Sequence, residues 1–145
     1  MKRILFLLIV VTSIAFAQST PSKIGKLTKV DFEKWLKPLT LDGHKFAMFS
    51  HETDSYQAGF LKGTKSLSVM AREDDGSFKE STMKQMGYTT YERKGFKHYF
   101  VAYDEMSLTT IIIPKYNIQL TVGGQGKLSK DYLDKLIDQT KIYEK

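Results

Sequence analysis

The chain has no cysteine, only three prolines and a single tryptophan. Without thiols, a disulfide scaffold, a thiolate zinc site and a cysteine nucleophile are all excluded. Stability must come from an ordinary hydrophobic core. Arginine is scarce too: beyond Arg3 only Arg72 and Arg93 occur. Bidentate contacts to guanine or phosphate are then few, so the basic balance does not point to nucleic acid. No apolar run after Ile14 is long enough to span a bilayer, which takes about 20 residues.

The first residues carry a clear pattern. Met1-Lys2-Arg3 is positive, Ile4 to Val11 is unbroken and apolar, and Ala15-Phe16-Ala17 is a small-x-small cleavage motif. Residues 1–17 therefore read as a secretory signal peptide of bacterial style, cut between Ala17 and Gln18. The expected location is the periplasm or the exterior. Removing 17 of the 145 residues leaves 128, one domain's worth of chain. Lys2 and Arg3 leave with the peptide, so the net charge falls from +6 to about +4. The remaining lysines interleave with the acids as a solubilising surface. One local excess, Lys23, Lys26, Lys29, Lys34, Lys37 and Lys45, offers a contact to an anionic envelope surface.

Residues 18–27 lack periodicity and read as a flexible leader, leaving 28–145 as a single α+β domain. Thr28 with Asp31 caps a helix carrying Val30, Phe32, Trp35, Leu36 and Leu39, limited by Pro38. His44–His51 alternates loosely. Tyr56–Lys62 and Ser66–Arg72 read as a hairpin about Gly63. In the second, Leu67, Val69 and Ala71 face one way and Ser66, Ser68 and Arg72 the other, with Met70 the apolar exception. Ser77-x-x-Glu80 and Gly87 bracket a helix over Phe78–Met86. Strands follow at Tyr88–Arg93, Phe96–Tyr103, Ser107–Ile113 and Tyr116–Val122, joined by short turns and so antiparallel. Ser129 caps a last helix with an inward stripe of Tyr132, Leu133, Leu136, Ile137 and Thr140. The fold class expected is α+β: one antiparallel sheet of about six to seven strands with three short helices packed on it.

The order of elements over Leu67–Ile142 resembles the PsbP-like α/β/α domains, small exported or organellar folds. In these, too, a helix precedes a meander of strands and a last helix closes the chain. The resemblance implies architecture only and carries over no site residue. Cystatin-like and lipoprotein-carrier-like sheets are the alternatives.

Catalytic patterns are weak. His44 and His51 lie seven apart, on opposite faces of a regular strand. His51-Glu52-x-Asp54 has no recognised metal spacing. The acids Glu73-Asp74-Asp75 and Asp104-Glu105 sit at turns, where they are common. Ser81-x-x-Lys84 lacks companion motifs. Gly123–Lys127 departs from a phosphate-binding loop and reads as a flexible connection into the last helix. No cofactor or metal is expected. The aromatic set Tyr88, Tyr91, Tyr99 and Tyr103, with His98, is the candidate ligand-binding group. Tyrosine combines area, rigidity and a polar tip. Tyr99 and Tyr103 share a strand face, a groove if uncovered and core if covered. The expected function is a non-enzymatic exported binding or accessory domain for a protein or a small apolar ligand. Two alternatives stand beside it: a small hydrolase using His51 or His98 with nearby carboxylates, and an envelope module that binds through the N-terminal lysines.

Overall fold

The computed structural model describes residues 23–145. The signal peptide over 1–17, its cleavage site and the start of the leader lie outside the described residues. Among the described residues ten strands occur: β1 Lys23–Ile24, β2 Leu27–Thr28, β3 Thr40–Leu41, β4 His44–His51, β5 Ser55–Lys62, β6 Lys65–Glu73, β7 Thr89–Arg93, β8 Phe96–Ala102, β9 Met106–Ile113 and β10 Ile118–Gln125. Helix α1 is Lys29–Leu36, α2 is Glu80–Gln85 and α3 is Lys130–Gln139, followed by a 3-10 turn at Ile142–Glu144. The chain is thus α+β, with one large antiparallel sheet. That sheet has eight strands, in the order β3-β4-β5-β6-β10-β9-β8-β7, rather than six or seven. It joins two meanders through the non-local pair β6–β10, where Val69 faces Val122 and Ala71 faces Leu120.

The two end helices start as their caps require. Thr28 Oγ1 accepts from the Asp31 amide at 3.1 Å, and Ser129 Oγ accepts from the Tyr132 amide at 3.1 Å. Each bond satisfies an amide that the first helical turn leaves without an intrahelical partner. Phe32, Trp35 and Leu36 of α1 and Leu133, Leu136 and Ile137 of α3 are buried. They pack on one sheet face, built from Tyr56, Ala58, Val69, Ala71, Ile111, Leu120 and Val122.

Three expectations are corrected. Residues 23–27 of the expected leader belong to the β1–β2 hairpin, which buries Ile24 and Leu27. Its turn uses Gly25 at φ 57°, and the Lys26 amide donates to the Tyr116 carbonyl at 2.8 Å. The helix expected from Phe78 begins only at Glu80, and its N-cap position, Lys79, makes no side-chain cap. The Ser77 hydroxyl instead faces Gln119 Nε2 at 3.4 Å, so a tertiary contact displaces the capping box. Gly123 and Gly124, read as flexible loop, are ladder residues of β10 paired with Leu108 and Ser107.

The loose alternation of β4 has a physical cause. A β-bulge between Phe46 and Met48 inserts Ala47 as an unpaired residue. An extra residue inverts the inward–outward parity of everything after it. Phe46 opposes buried Phe60, yet Met48 opposes Gly59 on the other face, and Phe49 and His51 return to the helix side. His44 and His51 therefore share a face, contrary to the regular-strand reading. Seven residues of strand still hold them about 23 Å apart.

Candidate functional site

The tyrosines singled out from the sequence do not form one surface. Tyr91 and His98 lie beneath α3, whereas Tyr99 and Tyr88 pack against Phe78 on the opposite face. The chain crossing from β6 to α2 covers Tyr99. The Phe78 ring meets the Tyr99 ring edge-on at 5.2 Å, and the Tyr99 hydroxyl donates to the Phe78 carbonyl at 3.0 Å. Tyr99 is thus core, while Tyr103 is half exposed, so the two line no common groove.

Beneath α3 lies a polar cluster that sequence reasoning missed. Asp134 is buried, and the Tyr91 hydroxyl donates to its Oδ1 at 2.6 Å. Lys130 Nζ lies 3.3 Å from Asp134 Oδ2. Arg93 grips Asp138 with both terminal nitrogens, at 2.7 and 2.6 Å. Arg93 also donates to the Tyr143 hydroxyl at 3.2 Å, and that hydroxyl lies 3.0 Å from His98 Nε2. His98 Nδ1 lies 3.6 Å from Asp134 Oδ1. That distance is too long for a hydrogen bond.

The titrations follow from this enclosure. Burial pushes His98 down to about 4; Asp134 opposes that shift, while Arg93 and Lys130 reinforce it. Asp138 is held at about 2, chiefly by its bonds from Arg93. Burial, and then the bond to Asp134, raises the Tyr91 phenol well above its ordinary value. A histidine–carboxylate pair in a cleft would serve general acid–base chemistry. Here the imidazole has no exposed surface and no hydrogen bond to the acid. The cluster clamps α3 and the C-terminal turn onto the β7–β8 edge. His51, the other proposed catalytic histidine, stacks on Phe49 at 6.3 Å, and among the described residues no carboxylate lies within ion-pair distance of it.

The surface that stands open is the sheet face turned away from α1 and α3. The pairing places Met48, Gly59, Ser68, Gly123 and Leu108 in one row across it. Small residues on the three central strands make a depressed floor between Met48 and Leu108. A side chain at Gly59 would strike Met48 Cγ at 2.8 Å, and one at Gly123 would crowd the Ser107 carbonyl at 3.0 Å. The neighbouring row brings Met70 opposite Gln57 and Thr121, with Thr121 and Thr110 hydroxyls joined at 2.9 Å. The result is a trough of about 450 Å³ open to solvent. Three of the six large apolar side chains exposed among the described residues line it: Met48 (61% exposed), Leu61 (48%) and Met106 (46%). Met70 on the polar face of β6 is the one sequence signal that pointed here.

Among the described residues, no helix is long and apolar enough to cross a membrane, and no three His, Asp or Glu side chains gather as metal ligands would. No protein-family model matches the chain, and neither a curated protein nor a solved structure gives a match.

Proposed function

We propose that the protein is an exported, non-enzymatic binding domain that receives an apolar segment of a partner polypeptide on the open face of its sheet. The observation that carries this reading is the convergence of Met48, Leu61 and Met106 on one Gly-Ser-Gly floor, with Met70 beside them. Methionine is flexible and polarisable, and it suits surfaces that must adapt to a partner's side chains. Exposed apolar side chains gathered in one patch mark interaction sites, whereas isolated ones are ordinary. A small ligand would need a pocket that encloses most of its surface. An open trough favours a chain laid across it. Export is supported by the positive start, the apolar run and Ala15-Phe16-Ala17. The PsbP-like reading is supported by α2 lying on one face of the sheet and α1 and α3 on the other.

The test uses a photo-crosslinking amino acid placed at Leu61 or Met106 in cells that make the protein. A discrete adduct is expected from both positions, and none from Asp131, exposed on α3. Met48→Lys should suppress the Leu61 adduct while changing stability by no more than about 0.5 kcal/mol, since the side chain is exposed. Absence of adducts from the trough, or adducts indifferent to Met48→Lys, would refute the proposal.

A further inference from the structure

A second concavity lies on the opposite side of the sheet, between α1, the β1–β2 hairpin and the C-terminal turn. Its volume is about 490 Å³, within the range of small-molecule sites. Leu27, Trp35, Leu39 and Ile142 give it an apolar interior. Trp35 is held in place by its indole N–H, which donates to the Thr140 carbonyl at 2.7 Å. Lys141, in the left-handed region at φ 58°, ends α3 and turns the chain so that Ile142 enters the core while Lys141 stays on the rim.

The rim is basic. Four lysine side chains line the groove, Lys26, Lys34, Lys141 and Lys145, against one side-chain carboxylate, Asp31, and the Lys145 main-chain oxygen there accepts from Lys115 Nζ and the Tyr116 hydroxyl. Asp31 is already engaged, since the Thr28 hydroxyl donates to its Oδ2 at 2.5 Å. Away from the groove, Lys84, Lys94, Lys130 and Lys135 sit in ion pairs. Among the described residues none of the four groove lysines pairs with an acid. Uncompensated positive charge around an apolar slot is the complement of a molecule with an anionic head and an apolar tail. Lysine stems add apolar surface along such a tail while their ammonium groups meet the head.

The geometry points to a binding site for a monomeric single-chain anionic amphiphile, a fatty-acid-like carboxylate, with its tail along Trp35 and Leu39 and its head between Lys34 and Lys141. The site is independent of the sheet-face trough, so either can fail alone. Trp35, the chain's only tryptophan, reports on it directly.

The experiment titrates the full protein with dodecanoate below its micelle concentration and follows tryptophan emission. A saturable shift is expected, and dodecyltrimethylammonium, with the same tail and a cationic head, should give none. Lys34→Glu combined with Lys141→Glu should weaken dodecanoate binding about tenfold or more, with an unchanged far-UV spectrum. Raising salt should weaken it in the same direction, because the contacts are exposed. No saturable shift, equal response to both head groups, or indifference to the double substitution would overturn the inference. So would binding to phosphatidylglycerol vesicles without any response to monomeric dodecanoate, which would mean a membrane-surface contact instead.

Discussion

Lowering the pH from 6.5 towards 4 is expected to remove about 3 kcal/mol of folding stability, and His98 is the reason. Its imidazole is fully enclosed and held neutral, titrating at about 4 in the fold against an ordinary 6.5. Because the folded value is the lower one, the unfolded chain takes up the proton first as the pH falls. Stability is therefore full above 6.5 and drains away as the pH drops towards 4. The groups facing the ring explain why the proton is refused: burial dominates, Arg93 and Lys130 repel it, and Asp134 repays only part. Above about 4.5 the carboxylates stay out of the window. Asp138, held at about 2, gives up its contribution only between 3.8 and about 2. Glu80, lowered by Lys84, acts only below its ordinary 4.5. Urea unfolding at pH 7, 5.5 and 4.5 should show the midpoint falling in the native protein. In His98→Gln, which keeps a polar side chain for Tyr143, the fall should largely vanish. An equal fall in both proteins would show that the enclosed histidine is not the sensor.

Phe32→Ala should cost about 4 kcal/mol, the scale for deleting a fully buried aromatic ring. Phe32 has no exposed surface and joins α1 to the sheet through two rings, Tyr56 at 5.8 Å and Phe49 at 6.1 Å, with Trp35 of its own helix packed edge-on at 5.8 Å. The cavity would lie where α1 meets β4 and β5, among close-packed rings. Val30, two residues earlier and 70% exposed, is the control. Val30→Ala should change stability by about 0.5 kcal/mol or less. Chemical denaturation measures both. A loss at Phe32 no larger than that at Val30 would mean that α1 is not docked as described. Since α1 forms one wall of the basic groove, Phe32→Ala should also broaden any Trp35 response to dodecanoate.

Local chemistry made much of this fold legible. Thr28 and Ser129 cap the helices their positions suggested, because a cap is a bond between near neighbours. The alternation of Leu67, Val69 and Ala71 placed β6 correctly, because side-chain parity is fixed by the strand itself. What stayed hidden depends on distant partners. Ser77 matched a capping box, yet Gln119, over forty residues away, takes its hydroxyl. The β1–β2 hairpin is two residues on each side, too short to show a pattern, and it is secured by the Tyr116 carbonyl. The bulge at Ala47 has no local signature, although it is what turns Met48 onto the open face. The placement of the tyrosines depends on distant partners in the same way. Parity put Tyr99 and Tyr103 on one face, but only the tertiary position of Phe78 decides that Tyr99 is covered. Asp134 and Asp138, four residues apart beside the inward stripe of α3, are the sequence mark of the polar cluster.

The open sheet face is the centre of the functional reading, and its methionines allow a direct test. The protein, labelled with carbon-13 at its methionine methyl groups, is titrated with an apolar peptide selected for binding from a displayed library. The expected result is that the Met48, Met70 and Met106 signals move together along one saturable curve while buried Met83 stays fixed, and that Met48→Lys with Met106→Lys abolishes binding. A peptide that binds while those three signals remain still, or that binds the doubly substituted protein equally well, would contradict it.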